Sequence, residues 1–163
     1  MNLKLVKMKK LVGGTGASFL AKEPIVNPLG NLRHIVKSEL DKNLPFSEIY
    51  FSEVKPKTIK AWKFHSKKSQ NISVAYGTIR IICIKKNSDE AVYEAFELNS
   101  EELHGILTIP AGIYYSLINV SEVPTILLNA TDLPHNSEEN LSLPLEYPEF
   151  ASLIVEFGGL GEI

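Results

Sequence analysis

The chain has 163 residues with 17 basic and 19 acidic side chains, a formal net charge of -2. That length suits one domain with a sizeable core, and the charge balance lacks the basic surplus that nucleic acid or an anionic membrane surface would call for. Its one cysteine, Cys83, rules out an intrachain disulfide and a thiolate metal site, and no apolar run approaches the roughly 18 residues of a membrane helix.

The N-terminal stretch Leu3–Val12 reads as a strand in which Lys7, Lys9 and Lys10 keep an edge solvated. Lysines interspersed among its apolar residues do not form a signal peptide, so a cytoplasmic location is expected. The run Val12-Gly13-Gly14-Thr15-Gly16-Ala17-Ser18 has neither the GxGxxG nor the Walker spacing, and Pro24 stops any helix after it. It is read as a flexible turn or connector, so that 1–24 form an N-terminal strand and connector and 25–163 the main domain.

Short β-branched and aromatic runs then recur between turn formers: Glu48–Val54, Thr58–His65, Asn71–Tyr76, Thr78–Lys85, Val92–Leu98, Ile106–Ile109, Ile113–Ile118 and Pro124–Ala130. This rhythm predicts an all-β sandwich or barrel in a single domain. Gly77 separates two strands, and Lys86–Glu90 is a polar loop able to close a hairpin. From Thr131 to Pro148 the chain is polar, and Pro134, Pro144 and Pro148 predict an irregular arm or lid. Phe150–Phe157 fits either a further strand or a short helix.

Chemistry concentrates in Lys60-Ala61-Trp62-Lys63-Phe64-His65. Strand alternation puts Ala61, Lys63 and His65 on one face and Trp62 and Phe64 on the other. An unpaired ammonium costs several kcal/mol to bury, so Lys63 must reach solvent or a polar cavity. The series Lys63-Phe64-His65, Gln70, Gly77, followed by Pro110-Ala111-Gly112-Ile113-Tyr114-Tyr115 and Asn119, resembles the two motifs of the cupins, which are jelly-roll β-barrels. Of the four positions that hold metal in that pattern only His65 is a good ligand, the others being Lys63, Gln70 and Tyr115. No metal is therefore expected.

From about Ile25 to Pro148 the chain also resembles the dTDP-4-dehydrorhamnose 3,5-epimerase family, in a divergent branch with a Trp-Lys-x-His signature. The resemblance rests on Asn31-Leu32-Arg33-His34-Ile35, the Lys60–His65 stretch, Ile109-Pro110-Ala111-Gly112 and Asn129-Ala130-Thr131-Asp132-Leu133-Pro134-His135. It implies a cupin jelly-roll homodimer that binds nucleoside-diphosphate 4-keto-6-deoxy sugars without a cofactor, in deoxysugar or cell-surface polysaccharide synthesis. The departures fall on the chemistry. Lys63 stands at the family's catalytic histidine, Lys60 at its arginine, Gln70 at its pocket lysine, Leu128 at its acid tyrosine and Tyr115 at its second pocket histidine.

A 4-keto group acidifies the neighbouring C–H bonds, so an epimerase or ketoisomerase needs a base at carbon and a donor at the oxygen. His65 is the expected base, Lys63 the cation that meets the enolate and Tyr115 the proton donor. Lys60, Gln70, Arg80, Asn129, Asp132 and His135 are candidate substrate-binding residues. Four of these have an ordinary structural alternative, Asn129, Asp132 and His135 as turn formers and Arg80 as a solvated surface residue. A non-catalytic sugar-nucleotide binder fits the same departures, and a sugar or carboxylate sensor of the wider superfamily is a third reading. A homodimer is also expected because Tyr50, Phe51, Trp62 and Phe64 offer more aromatic surface than one barrel interior absorbs.

Overall fold

A computed structural model describes residues 14–36, 46–87, 91–136 and 140–158. The predicted strand Leu3–Val12 lies outside them, as does the end of the Lys86–Glu90 loop. The described strands are β1 (Ser18–Ala21), β2 (Glu48–Val54), β3 (Thr58–His65), β4 (Gln70–Tyr76), β5 (Thr78–Lys86), β6 (Ala91–Asn99), β7 (Gly105–Ile109), β8 (Tyr114–Asn119), β9 (Thr125–Thr131) and β10 (Asn140–Ser142), followed by one helix, α1 (Ala151–Gly158). They form two antiparallel five-stranded sheets, β1-β7-β4-β9-β2 and β10-β3-β8-β5-β6, stacked as a cupin jelly roll. No helix among the described residues is long and apolar enough to cross a membrane.

The core between the sheets is built by alternation. On β5, Ile79, Ile81 and Cys83 point inward, against Ile72 and Val74 of β4, Leu117 of β8 and Leu127 of β9. Ile82 and Ile84 point outward into a second cluster, where Trp62 and Ile118 are covered by Phe150, Leu153 and Ile154 at α1. Both faces of β5 are thus buried, which accounts for its unbroken apolar run. Burial also pushes the Cys83 thiol well above the ordinary cysteine range.

Three features fix the strand that carries Lys63 and His65. First, β3 pairs with β8 through a bulge: Lys60 is opposite Leu117 but Lys63 is opposite Tyr115, one extra residue on β3. The bulge resets the alternation, so Ala61 packs on the same outer cluster as Trp62. This corrects the expectation that Ala61 shares the face of Lys63. Second, Gly112, in the left-handed region at φ 81°, forms the β7–β8 turn and donates its N–H to the His65 carbonyl at 2.8 Å. The Pro110-Ala111-Gly112 motif thereby holds the end of β3. Third, β10 pairs with the free edge of β3, setting Asn140 opposite His65 and Ser142 opposite Lys63.

The arm predicted to be irregular over Thr131–Pro148 therefore contains a strand, in the proline-free interval between Pro134 and Pro144. Its end leads into α1, so Phe150–Phe157 takes the helical alternative. Ser18–Ala21, read as connector, is a sheet strand along β7. Gly105 admits it, since a Cβ there would lie 2.3 Å from the Leu20 carbonyl oxygen. The surplus of aromatic surface is smaller than expected. Trp62 is fully buried, edge-on to Phe150 at 5.3 Å, and Phe64 stacks on Tyr114 at 4.5 Å. Phe51 stays 68% exposed on β2.

Candidate functional site

A cleft of about 440 Å³ opens at one end of the sandwich. Glu48 and Tyr50 of β2 form one wall. Lys63, Phe64 and His65 of β3 form the other, with Lys68 from the β3–β4 turn, and Tyr115 of β8 lies at the base. His135, Leu141 and Ser142 bring the C-terminal arm to the rim. Strand alternation explains the gathering: on each of β2, β3, β4, β8 and β9 the residues that face inward are polar at this end.

Behind the cleft runs a buried chain of hydrogen bonds. Tyr115 Oη donates to Gln70 Oε1 at 2.5 Å, Gln70 Nε2 donates to Asn129 Oδ1 at 2.7 Å, and Asn129 Nδ2 donates to Ser52 Oγ at 2.9 Å. His65 Nε2 lies 3.3 Å from Tyr115 Oη. Burial raises the Tyr115 hydroxyl far above the usual tyrosine range, and burial followed by the Glu48 carboxylate raises Tyr50. Lys63 moves the other way. Burial first, then the charges of Lys60 and Lys68, hold its ammonium below the usual lysine range.

The sequence-derived candidates divide accordingly. Lys63, His65, Tyr115 and His135 line the cleft, and Gln70 and Asn129 form the layer behind it. Asp132 accepts the Ser69 N–H at 2.8 Å and so fastens the β3–β4 turn, the structural role weighed for it. Lys60 donates to the Glu53 carbonyl and does not line the cleft. Arg80 shares the outward parity of Ile82 and Ile84. It pairs with Glu97 at 2.8 Å and donates to the Phe157 carbonyl at 3.2 Å, on the α1 side of the sheet. Leu128, set against the family's acid tyrosine, lies on the outer face of β9 between the inward Leu127 and Asn129, opposite Phe51. A shift of one residue in alignment reverses the face of a strand residue.

Glu48, Tyr50 and Lys68 are cleft residues that sequence reasoning missed. The signal for the first two was present in the alternation Glu48, Tyr50, Ser52, Val54, which grades from polar to apolar along one face. Lys68 sits in the Ser66–Ser69 turn yet is buried, a placement that only the tertiary fold supplies. At the four cupin ligand positions, Gln70 and Tyr115 are bonded to each other and only His65 is a usual ligand, so the donor set does not fit a divalent metal.

No family profile matches the chain, and no curated sequence does. Solved structures match it over most of its length. A dTDP sugar isomerase from Desulfovibrio desulfuricans G20 is 28% identical with a TM-score of 0.77, over 82% of this chain and 87% of that one. A dTDP-4-dehydrorhamnose 3,5-epimerase from Bacillus anthracis, with TDP and pyrophosphate bound, is 17% identical with a TM-score of 0.74 over 88% of each chain. ChmJ, a 3'-monoepimerase from Streptomyces bikiniensis in complex with dTDP-quinovose, is 10% identical with a TM-score of 0.71, over 80% of this chain and 71% of that one. The fold is thus that of dTDP-sugar epimerases and isomerases.

Proposed function

We propose that the chain is a cofactor-independent isomerase, an epimerase or ketoisomerase acting on a nucleoside-diphosphate 4-keto-6-deoxy sugar in deoxysugar synthesis. The observation that carries this is the placement of Lys63 and His65 side by side in a cleft whose fold neighbours act on dTDP sugars. An amine and an imidazole, backed by the Tyr115–Gln70–Asn129 chain, can move a proton at carbon and meet negative charge on oxygen. Glu48, Tyr50, Lys68 and His135 complete the substrate wall.

Incubation with a dTDP-4-keto-6-deoxyhexose in deuterium oxide tests the reading. Deuterium should enter at C3 or C5, and a protein that labilises neither hydrogen is not this isomerase. Absence of exchange together with thermal stabilisation by dTDP would favour the second reading, a non-catalytic sugar-nucleotide binder. That reading draws its support from Tyr115, whose proton is already engaged by Gln70. A homodimer belongs to the same proposal, supported by Ile49 and Phe51 exposed on one face of β2. Sedimentation equilibrium showing a monomer at micromolar concentration would refute it.

A further inference from the structure

Two of the nitrogen groups that line the cleft, the Lys63 amine and the His65 imidazole, stand on one strand beside Tyr115, and the hydrogen bonds behind them discriminate between the two. At the far end of the chain, Asn129 Nδ2 lies 3.5 Å from the carbonyl oxygens of both Tyr50 and Leu127. Backbone carbonyls only accept, so the Asn129 amide nitrogen faces them and its Oδ1 faces Gln70. That oxygen, at 2.7 Å, requires a donor, so Gln70 presents Nε2 to Asn129 and Oε1 to Tyr115. Tyr115 has a single proton and gives it to Gln70 at 2.5 Å. What it offers His65 is a lone pair, and Nε2, 3.3 Å away, carries the hydrogen between them. The remaining imidazole nitrogen, Nδ1, is buried.

Lys63 stands outside this chain of hydrogen bonds. It lines the cleft and is held between Tyr115 of β8 and Ser142 of β10 in the strand register. Resting on the isomerase reading above, we infer that Lys63 is the residue that takes the proton from the substrate carbon, while His65 and Tyr115 are positioning residues locked by the Asn129–Gln70 chain. In the step, the C–H bond breaks and its proton passes to the neutral Lys63 amine. The C–H electron pair forms the carbon–carbon double bond, and the carbonyl π pair moves to the C4 oxygen. The resulting ammonium, after exchange with solvent, returns a proton to carbon. Burial and the charges of Lys60 and Lys68 favour the neutral amine that the step needs.

Two conservative variants separate the roles. Lys63→Arg keeps a cation but cannot give up its proton near neutral pH, whereas His65→Gln keeps an N–H for Tyr115 but cannot accept a proton. With deuterium entry into a dTDP-4-keto-6-deoxyhexose as the readout and dTDP thermal stabilisation as the check on folding and binding, Lys63→Arg should lose about 10²–10⁴-fold. His65→Gln should lose less than Lys63→Arg does. In ¹⁵N-histidine-labelled protein, long-range ¹H–¹⁵N correlations should show His65 as the Nε2–H tautomer, and Tyr115→Phe should perturb that signal. Loss of exchange in a His65→Gln protein that still binds dTDP overturns the inference, as does full exchange in Lys63→Arg or an Nδ1–H imidazole in the wild type. No exchange in the wild type overturns the isomerase reading instead, and the tautomer spectrum still decides how the hydrogen bonds run.

Discussion

The two ends of the sandwich interior are made by the same strands and differ in what they bury. Moving inward along β2, Tyr50 and Ser52 give way to Val54. Gln70 of β4 is followed on its face by Ile72 and Val74, Tyr115 of β8 by Leu117, and Asn129 of β9 stands next to Leu127. One end closes by apolar contact, and the other closes by a chain of hydrogen bonds that stops at an open cleft. The alternation that builds a sheet selects the face, and position along the strand selects the chemistry. The apolar end can therefore fix the architecture while the polar end is free to carry Lys63, Gln70 and Tyr115.

The largest effect is expected at the apolar end. Ile81→Ala should cost about 2–5 kcal/mol by removing methyl groups from a site the surroundings cannot fill, measured by denaturant unfolding. At the polar end, Gln70→Leu should cost about 1–3 kcal/mol for each polar group it strands on Tyr115 and Asn129, while leaving the sheets intact by circular dichroism. A dTDP titration should raise stability by about 2.7 kcal/mol at one hundred times its dissociation constant. The Gln70 variant should lose part of that gain where Ile81→Ala keeps it.

Lys63→Met should act in the opposite direction, raising the melting temperature at neutral pH. The Lys63 ammonium is held below its unfolded value, so the folded state binds fewer protons than the unfolded chain between the two pKa values. The penalty is complete below the folded pKa and fades as pH rises toward about 10.4, where an unfolded lysine also loses its proton. The advantage of methionine should shrink over that interval, and a pH series of melting curves checks it. The smallest effect is expected from Arg80→Ala, about 0–1 kcal/mol in stability for loss of a part-exposed ion pair and none on dTDP binding.

Much of the fold was legible because the strands carry period-two patterns broken by turn formers, and Thr58–His65 and Glu48–Val54 agree with the structure end to end. The bulge was not legible, since a single extra residue on β3 leaves no mark in composition and shows only once Lys60 and Lys63 are paired with β8. Neither was the α1 cover over Trp62, whose burial depends on a contact between residues distant in sequence. In the site, Lys63 and His65 could be read from alternation. The same rule applied to β5 would have set Arg80 outward with Ile82, and on β2 it would have found Glu48 and Tyr50. Lys68 required the turn itself.

The strand β10 has one more consequence. Its three residues and Leu143, which exchanges hydrogen bonds with the Trp62 backbone at 2.9 and 3.0 Å, occupy the edge of β3 beside Lys63 and His65. An uncovered sheet edge is a template for intermolecular pairing. A proline at Leu141 or Leu143 should therefore both loosen the rim of the cleft and make the protein prone to self-association through β3, so that the segment walling the cleft also guards against fibrillar contacts.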